Sequence, residues 1–297
     1  MLQRDRISVL LTVLLMLVTG WAAWQLSSEL AEYRSARDEL SSLLNFDQRL
    51  LDVNEWLNKS TEKGPRLLQG EAIAERGDEA WSAGGRWTIA GLLALGVAVL
   101  LTLTLTSSVR TRILQIISIS LVSLLIGLSL PMLEIAAYLR DLTIDLNIDG
   151  GGLIAMALGT SKTFQGDIYF YYQSKSIIEI IRLLFQQGNL VVALSILAFS
   201  IMIPVVKLLS TGYLIIVNPK DGLSRYQRIV LLIGKWSMAD VFVAGIFLSS
   251  LAFRNMNPGL QTDSRVLPGL YFFLGYCLLS IGSSMMIGRY MASRDQS

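Results

Sequence analysis

The chain of 297 residues has no histidine and a single cysteine, Cys277, inside an apolar run. Those absences remove disulfides, zinc sites of the usual Cys/His type, Cys–His nucleophiles and histidine acid–base chemistry. Charge is scarce as well: 16% of residues are Asp, Glu, Lys or Arg, against about a quarter in soluble domains. With a formal net charge of +2 and no dense basic patch, no nucleic-acid partner is expected. No Gly-x-x-x-x-Gly-Lys-Ser/Thr loop occurs, so ATP is not expected as a direct energy source. No carboxylate pair has a spacing that suggests a hydrolase, and no nucleophile–base–orienter set can be assembled without histidine. The expectation is a non-enzyme with no cofactor and no metal.

In place of charge there is apolar sequence, 53% of the chain, with a mean hydropathy of +0.52. A spanning helix needs about 20 mostly apolar residues to cross a hydrocarbon core about 30 Å thick. Stretches 7–28, 87–109, 113–133, 183–206 and 266–288 qualify without a charge, and the fourth helix is expected to run on through Lys207 to 217. A further stretch, 229–253, is long enough but contains Lys235 and Asp240. The fold class expected is an all-α polytopic membrane protein of about six helices. The first stretch reads as a retained anchor, because Trp21, Trp24 and Gln25 follow its apolar run and no small-x-small cleavage pattern is present.

If six helices alternate, Arg4, Arg6, Arg110, Arg112, Lys220, Arg225, Arg228, Lys235, Arg289 and Arg294 share one side, which the positive-inside rule makes cytoplasmic. Both termini are then inside. Residues 29–86 form an extracytoplasmic segment with Leu40, Leu43, Leu44, Leu50, Leu51, Val53 and Leu57 near helical spacing, broken at Gly64-Pro65. With helices 7–28 and 87–109 it makes an N-terminal membrane hairpin, 1–111. In the second outer segment, 134–182, Leu142, Ile144, Leu146 and Ile148 alternate with polar residues, predicting a strand over 141–149 ended by Gly150-Gly151-Gly152. A partner strand is expected over 163–172. Ser174 is then expected to cap a short amphipathic helix with Ile177, Ile178, Ile181 and Leu184 on one face.

An ionised group inside a bilayer costs about 2.5–3.5 kcal/mol on insertion scales. Lys207 lies 11 residues before Asn218 and Asp240 lies 12 residues after Arg228, which puts them about 16 and 18 Å deep on antiparallel helices. Opposite charges at matching depth point to a shared polar site that moves, binds a headgroup or relays protons. They are equally readable as a static pair that sets helix register, or as Lys207 snorkelling alone. Pro204 and Gly234 flank the charged level, as in bent helices that line a cavity. Ser200, Ser210 and Ser237 could extend the polar cluster, and Ser280, Gly282, Ser283, Ser284 and Gly288 make the last span a close-packing helix.

Two stretches carry a family resemblance. Gly234-Lys-Trp-Ser-Met-Ala-Asp-Val-Phe242 resembles the G-[KR]-W-S-M-x-D-V-F signature of the paraquat-inducible protein A family of bacterial inner-membrane proteins. Gln187-Gly-Asn-Leu-Val-Val-Ala-Leu194 through Pro204-Val-Val-Lys-Leu-Leu209 is similar to that family's segment ending in P-x-x-K-L. The resemblance implies a tetraspanin-like four-helix module, 112–291, with a β-containing outer segment, followed by a tail, 292–297. It further implies a role beside periplasmic MCE-domain proteins that move lipids between membranes. On that pattern Lys207, Ser237, Asp240 and Lys235 form a polar transport centre, with Pro204, Gly234 and Trp236 shaping the helices around it. The expected partners are a phospholipid or other lipophile, an MCE-domain protein and a second copy of the chain, in the bacterial inner membrane. The other reading is a membrane sensor or scaffold that uses the outer hairpin for recognition. Unlike the best-known members, this sequence has one module and no paired Cys-x-x-Cys motifs.

Overall fold

The computed structural model describes residues 2–52, 65–145, 161–217 and 261–294, together with Gly245. The chain opens with α1 (Leu2–Leu43) and a short α2 (Phe46–Leu51), capped by the Asn45 side chain accepting from the Asp47 N–H. It returns through α3 (Pro65–Leu105). Pro65 stands at the first helical position, where its missing N–H costs nothing. Up to Leu43 and from Pro65 the outer segment is helix continuous with the span on its side. Leu26, Leu30, Tyr33, Ala36 and Leu40 of α1, with Leu44 just beyond it, form a buried stripe at spacings of three and four, while Leu10, Leu17 and Trp24 stay exposed. In a membrane helix the exposed apolar face is turned to lipid. Trp21 and Trp87 meet edge-on at 4.9 Å.

Ser108 accepts a hydrogen bond from the Thr111 N–H and starts α4 (Val109–Ser129). Pro131 ends it by forcing extended backbone on Leu130 (ψ 150°). The third span therefore sits earlier than the expected 113–133, and the second ends before Thr106. Immediately beyond Pro131, β1 (Leu133–Asp145) pairs antiparallel with β2 (Ser161–Lys175) on one edge and β3 (Gln261–Val266) on the other, in the order β2-β1-β3. The strand expected over 141–149 begins eight residues earlier, at Leu133, because Leu133–Tyr138 is paired on both edges and its pattern is not alternating. Residues 146–149 lie outside those described. A bulge at Arg140/Leu142 leaves Asp141 at φ 53°, its carboxylate accepting from the Gly166 N–H at 2.8 Å. β3, polar and short, carries no hydropathy signal and was not expected.

The cap of the amphipathic helix α5 (Ile177–Gln186) is Ser176, not Ser174. Ser176 and Glu179 form a reciprocal capping box, whereas Ser174 is still in β2. Gly188 at φ 78° turns the chain, and the fourth span starts at Leu190 rather than 183. It runs as α6 (Leu190–Leu197), a π-turn (Ala198–Met202) and α7 (Ile203–Val217). Pro204 cannot donate to the Ser200 carbonyl and its ring crowds it. The ladder before it widens accordingly, the Ile203 N–H reaching back to the Ala198 carbonyl. The last helix is α8 (Pro268–Arg294).

Five helices among the described residues are long and apolar enough to cross a membrane. The sixth expected span, 229–253, lies outside the described residues. One core joins α4, α5, α7 and α8 around Leu124, Leu128, Ile177, Ile181, Leu208 and Phe273. A second joins α1, α3, α4 and α8 around Leu26, Leu95, Ile119 and Phe272. α4 and α8 cross closely at Gly127, where a Cβ would lie 2.7 Å from the Phe273 nitrogen.

Candidate functional site

The buried stripe of the fourth span is Ser200, Pro204, Leu208, Thr211 and Ile215, again at spacings of four and three. Lys207 lies beside it, half-buried, and its Nζ donates to Ser280 Oγ of α8 at 2.9 Å. The Ser280 carbonyl accepts from Ser283 Oγ and Ser284 Oγ, each at 2.9 Å. Facing the same helix from α4, Ser123 donates to the Phe272 carbonyl at 2.6 Å, and Ser120, fully buried, makes no hydrogen bond among the described residues. A cation thus sits midway along a spanning helix, in a seam of hydroxyls, one turn past a proline-widened π-turn. An inter-helical hydroxyl bond in a membrane is worth about 0.6 kcal/mol, a fraction of the cost of about 2.5–3.5 kcal/mol for the charge. Asp240, Ser237, Lys235, Gly234 and Trp236 lie outside the described residues; of the expected centre, Lys207 and Pro204 are placed.

Two further polar clusters escaped the sequence reading. At the end of the bundle where the chain starts, Ser8 and Thr12 of α1, Thr102 of α3, Thr106 just after α3 and Gln115 of α4 interlock. Ser8 Oγ and Thr106 Oγ1 are 2.7 Å apart. Thr106 donates to Gln115 Oε1 at 2.8 Å, and Gln115 Nε2 donates to Ser8 Oγ at 3.3 Å and Thr12 Oγ1 at 3.2 Å. Thr12 and Thr102 meet at 3.4 Å. The signal was present in the i, i+4 spacing of Ser8/Thr12 and Thr102/Thr106 and in a glutamine within an apolar run.

At the other end, beneath the sheet, Glu134 of β1 stands opposite Ser174 of β2 and Arg265 of β3. Glu134, 2% exposed, accepts from Tyr33 Oη at 2.7 Å and pairs with Arg37 at 3.5 Å. Arg265 Nη1 donates to Tyr33 Oη at 3.2 Å and lies over the Trp81 ring. One turn away, Arg34 grips both oxygens of Glu179 at 3.0 and 2.9 Å and donates to the Ser174 carbonyl at 2.8 Å. Burial works against the Glu179 carboxylate, yet the Arg34 hydrogen bond, the Ser176 N–H and the Arg34 charge outweigh it and hold its pKa below the ordinary value. Burial, then the Glu134 charge, push the Tyr172 hydroxyl far up, so it stays protonated. No sequence spacing pairs residues about 100 positions apart, and this cluster was not legible. Among the described residues no three Cys, Asp or Glu side chains converge as a metal site.

Long apolar helices, a small sheet at one end of the bundle and a cation within a span define a multi-pass membrane protein. Within it, residues 164–291 match the family model described as paraquat-inducible protein A. The match starts in β2 and reaches into α8; α4 and β1 precede it, although the resemblance read from the sequence began at Arg112. No curated protein and no solved structure matches the chain.

Proposed function

We propose that the protein is an inner-membrane component of envelope lipid or lipophile transport, handing its cargo to or from a periplasmic MCE-type partner. The observation that carries the reading is Lys207: a cation held midway along a bent span against Ser280, inside the matched region. Charge at that depth is costly and is kept where a polar group is handled. Asp240, on the neighbouring segment of the same domain, supplies the counter-charge, and the two bias helix positions as a headgroup enters. Ser237 and Lys235 extend the polar centre, and Gly234 and Trp236 shape it. In this reading both termini face the cytoplasm, the sheet faces the periplasm, two copies pair to complete the transport unit, and the chain performs no chemistry of its own.

Lys207→Met and Asp240→Asn are each expected to abolish an envelope-lipid phenotype at unchanged protein abundance. Wild-type lipid asymmetry in both variants would end the proposal. Co-purification of phospholipid and an MCE-domain protein in mild detergent tests the partner, and crosslinking that finds monomers alone in native membranes would remove the paired form.

A further inference from the structure

Both ends of α5 are tied to the level at which spans end on the sheet side. At its start, the Lys175 carbonyl accepts from the Met132 N–H at 3.4 Å, and Ile177 shares a core with Met132, three residues beyond the end of α4. At its end, the Asn189 N–H donates to the Leu184 carbonyl at 3.0 Å and the Gly188 N–H to that of Phe185 at 3.2 Å. This is a Schellman turn, which needs the positive φ of Gly188. Leu190, the residue after Asn189, opens the spanning stretch Leu190–Ile216. The ten residues of α5, about 15 Å of helix, therefore run along the bilayer boundary and do not cross it.

The surface that α5 turns away from the core is not that of a helix in water. Ile177 and Ile181 are buried, whereas Ile178 and Phe185, beside them at helical spacing, are 44% and 40% exposed. Arg182 and Gln186 follow round the helix, both exposed. The acid one turn before Arg182 is Glu179, already held through both oxygens by Arg34. Arg182 itself makes no hydrogen bond or ion pair among the described residues. Beyond the turn the exposed apolar surface continues on the lipid side of α6, at Leu190 and Leu194. An apolar arc bordered by a cation suits the headgroup layer. Isoleucine and phenylalanine gain by leaving water for the acyl boundary, and an arginine at the edge extends its stem to phosphate oxygens.

We propose that α5 is an interfacial helix that binds a phospholipid of the sheet-side leaflet. Ile178 and Phe185 enter the acyl boundary and the Arg182 guanidinium holds the lipid phosphate. A lipid can be bound there without being moved, so the proposal does not rest on the transport reading.

The test uses full-length protein with p-benzoylphenylalanine in place of Phe185, in nanodiscs of equimolar phosphatidylglycerol and phosphatidylcholine. After irradiation, mass spectrometry identifies the adducts. Lipid adducts are expected, with phosphatidylglycerol favoured about five-fold, the preference that one arginine near an anionic surface confers. Both lipids carry the phosphate, but in phosphatidylcholine a choline cation competes for it. Arg182→Gln should keep the lipid adducts and lose the preference, while Arg182→Lys should retain most of it. The same probe at Ser42, on the exposed outer part of α1, should give no lipid adduct. Adducts at position 185 to another part of the chain or to a second copy, or no lipid adduct there, overturn the interfacial placement. An unchanged preference in Arg182→Gln overturns the phosphate contact. Should the Phe185 variant fail to accumulate, the probe at Ile178 decides by the same criteria. A wild-type lipid phenotype in Lys207→Met would end the transport reading and leave these adducts as they are.

Discussion

Gly127→Ala isolates a contact on which the packing of α4 against α8 depends. The α4 and α8 backbones approach so closely there that the new Cβ would lie 2.7 Å from the Phe273 nitrogen, 2.9 Å from its Cα and 3.0 Å from its Cβ. Ordinary contact begins near 3.4 Å, and the obstacle is backbone, which cannot swing aside as a flexible side chain could. The helices must part by about 0.7 Å locally, an overpacking strain worth about 1–3 kcal/mol. Against that, alanine is intrinsically better than glycine in a helix by about 0.5–1 kcal/mol. The informative quantity is therefore the difference from Gly96→Ala, whose Cβ meets no described atom within 4 Å on an exposed face of α3. Gly96→Ala is expected to be neutral or stabilising, and Gly127→Ala to melt lower than it, on the order of 5 °C, in thermal unfolding in detergent. Equal melting temperatures would refute the close crossing, and with it the cores placed on either side of it. Gly269→Ala, whose Cβ would fall 2.5 Å from the Leu130 carbonyl oxygen, should behave like Gly127→Ala.

Gln115→Leu leaves Ser8, Thr12 and Thr106 without their common partner and is expected to cost about 1–2 kcal/mol, read as a lower melting temperature than for Ser118→Ala on the exposed face of α4. Glu179 has a lowered pKa in the folded protein, so its contribution is complete above the ordinary carboxylate range and disappears as pH falls through the folded value. Wild type should accordingly out-melt Glu179→Gln at pH 7, the gap closing in the acid range below about pH 4. A gap that widens on acidification would contradict the Arg34–Glu179 pairing.

The amino-acid pattern determined what is local. Hydropathy marked five of the spans that the structure describes, and the aromatic-rich run after Thr163 was legible as a strand; the expected spans ran through Pro131 and Gly188, where the structure breaks them. It also singled out Lys207, since a charge in an apolar run is visible without knowing its neighbours. Boundaries were less legible: Ser174 and Ser176 are both plausible caps until the Glu179 side chain is seen returning to the Ser176 N–H. What only the tertiary structure decided is which polar groups meet. Tyr33 and Glu134 are 101 residues apart and Gln115 and Ser8 are 107 apart, and nothing in either neighbourhood names the other. A span satisfies its own backbone and is apolar whichever helix it packs on, so hydropathy is indifferent to partner choice. Register across the sheet and the hydroxyls aligned between helices make that choice, and they exist only once the chain has folded.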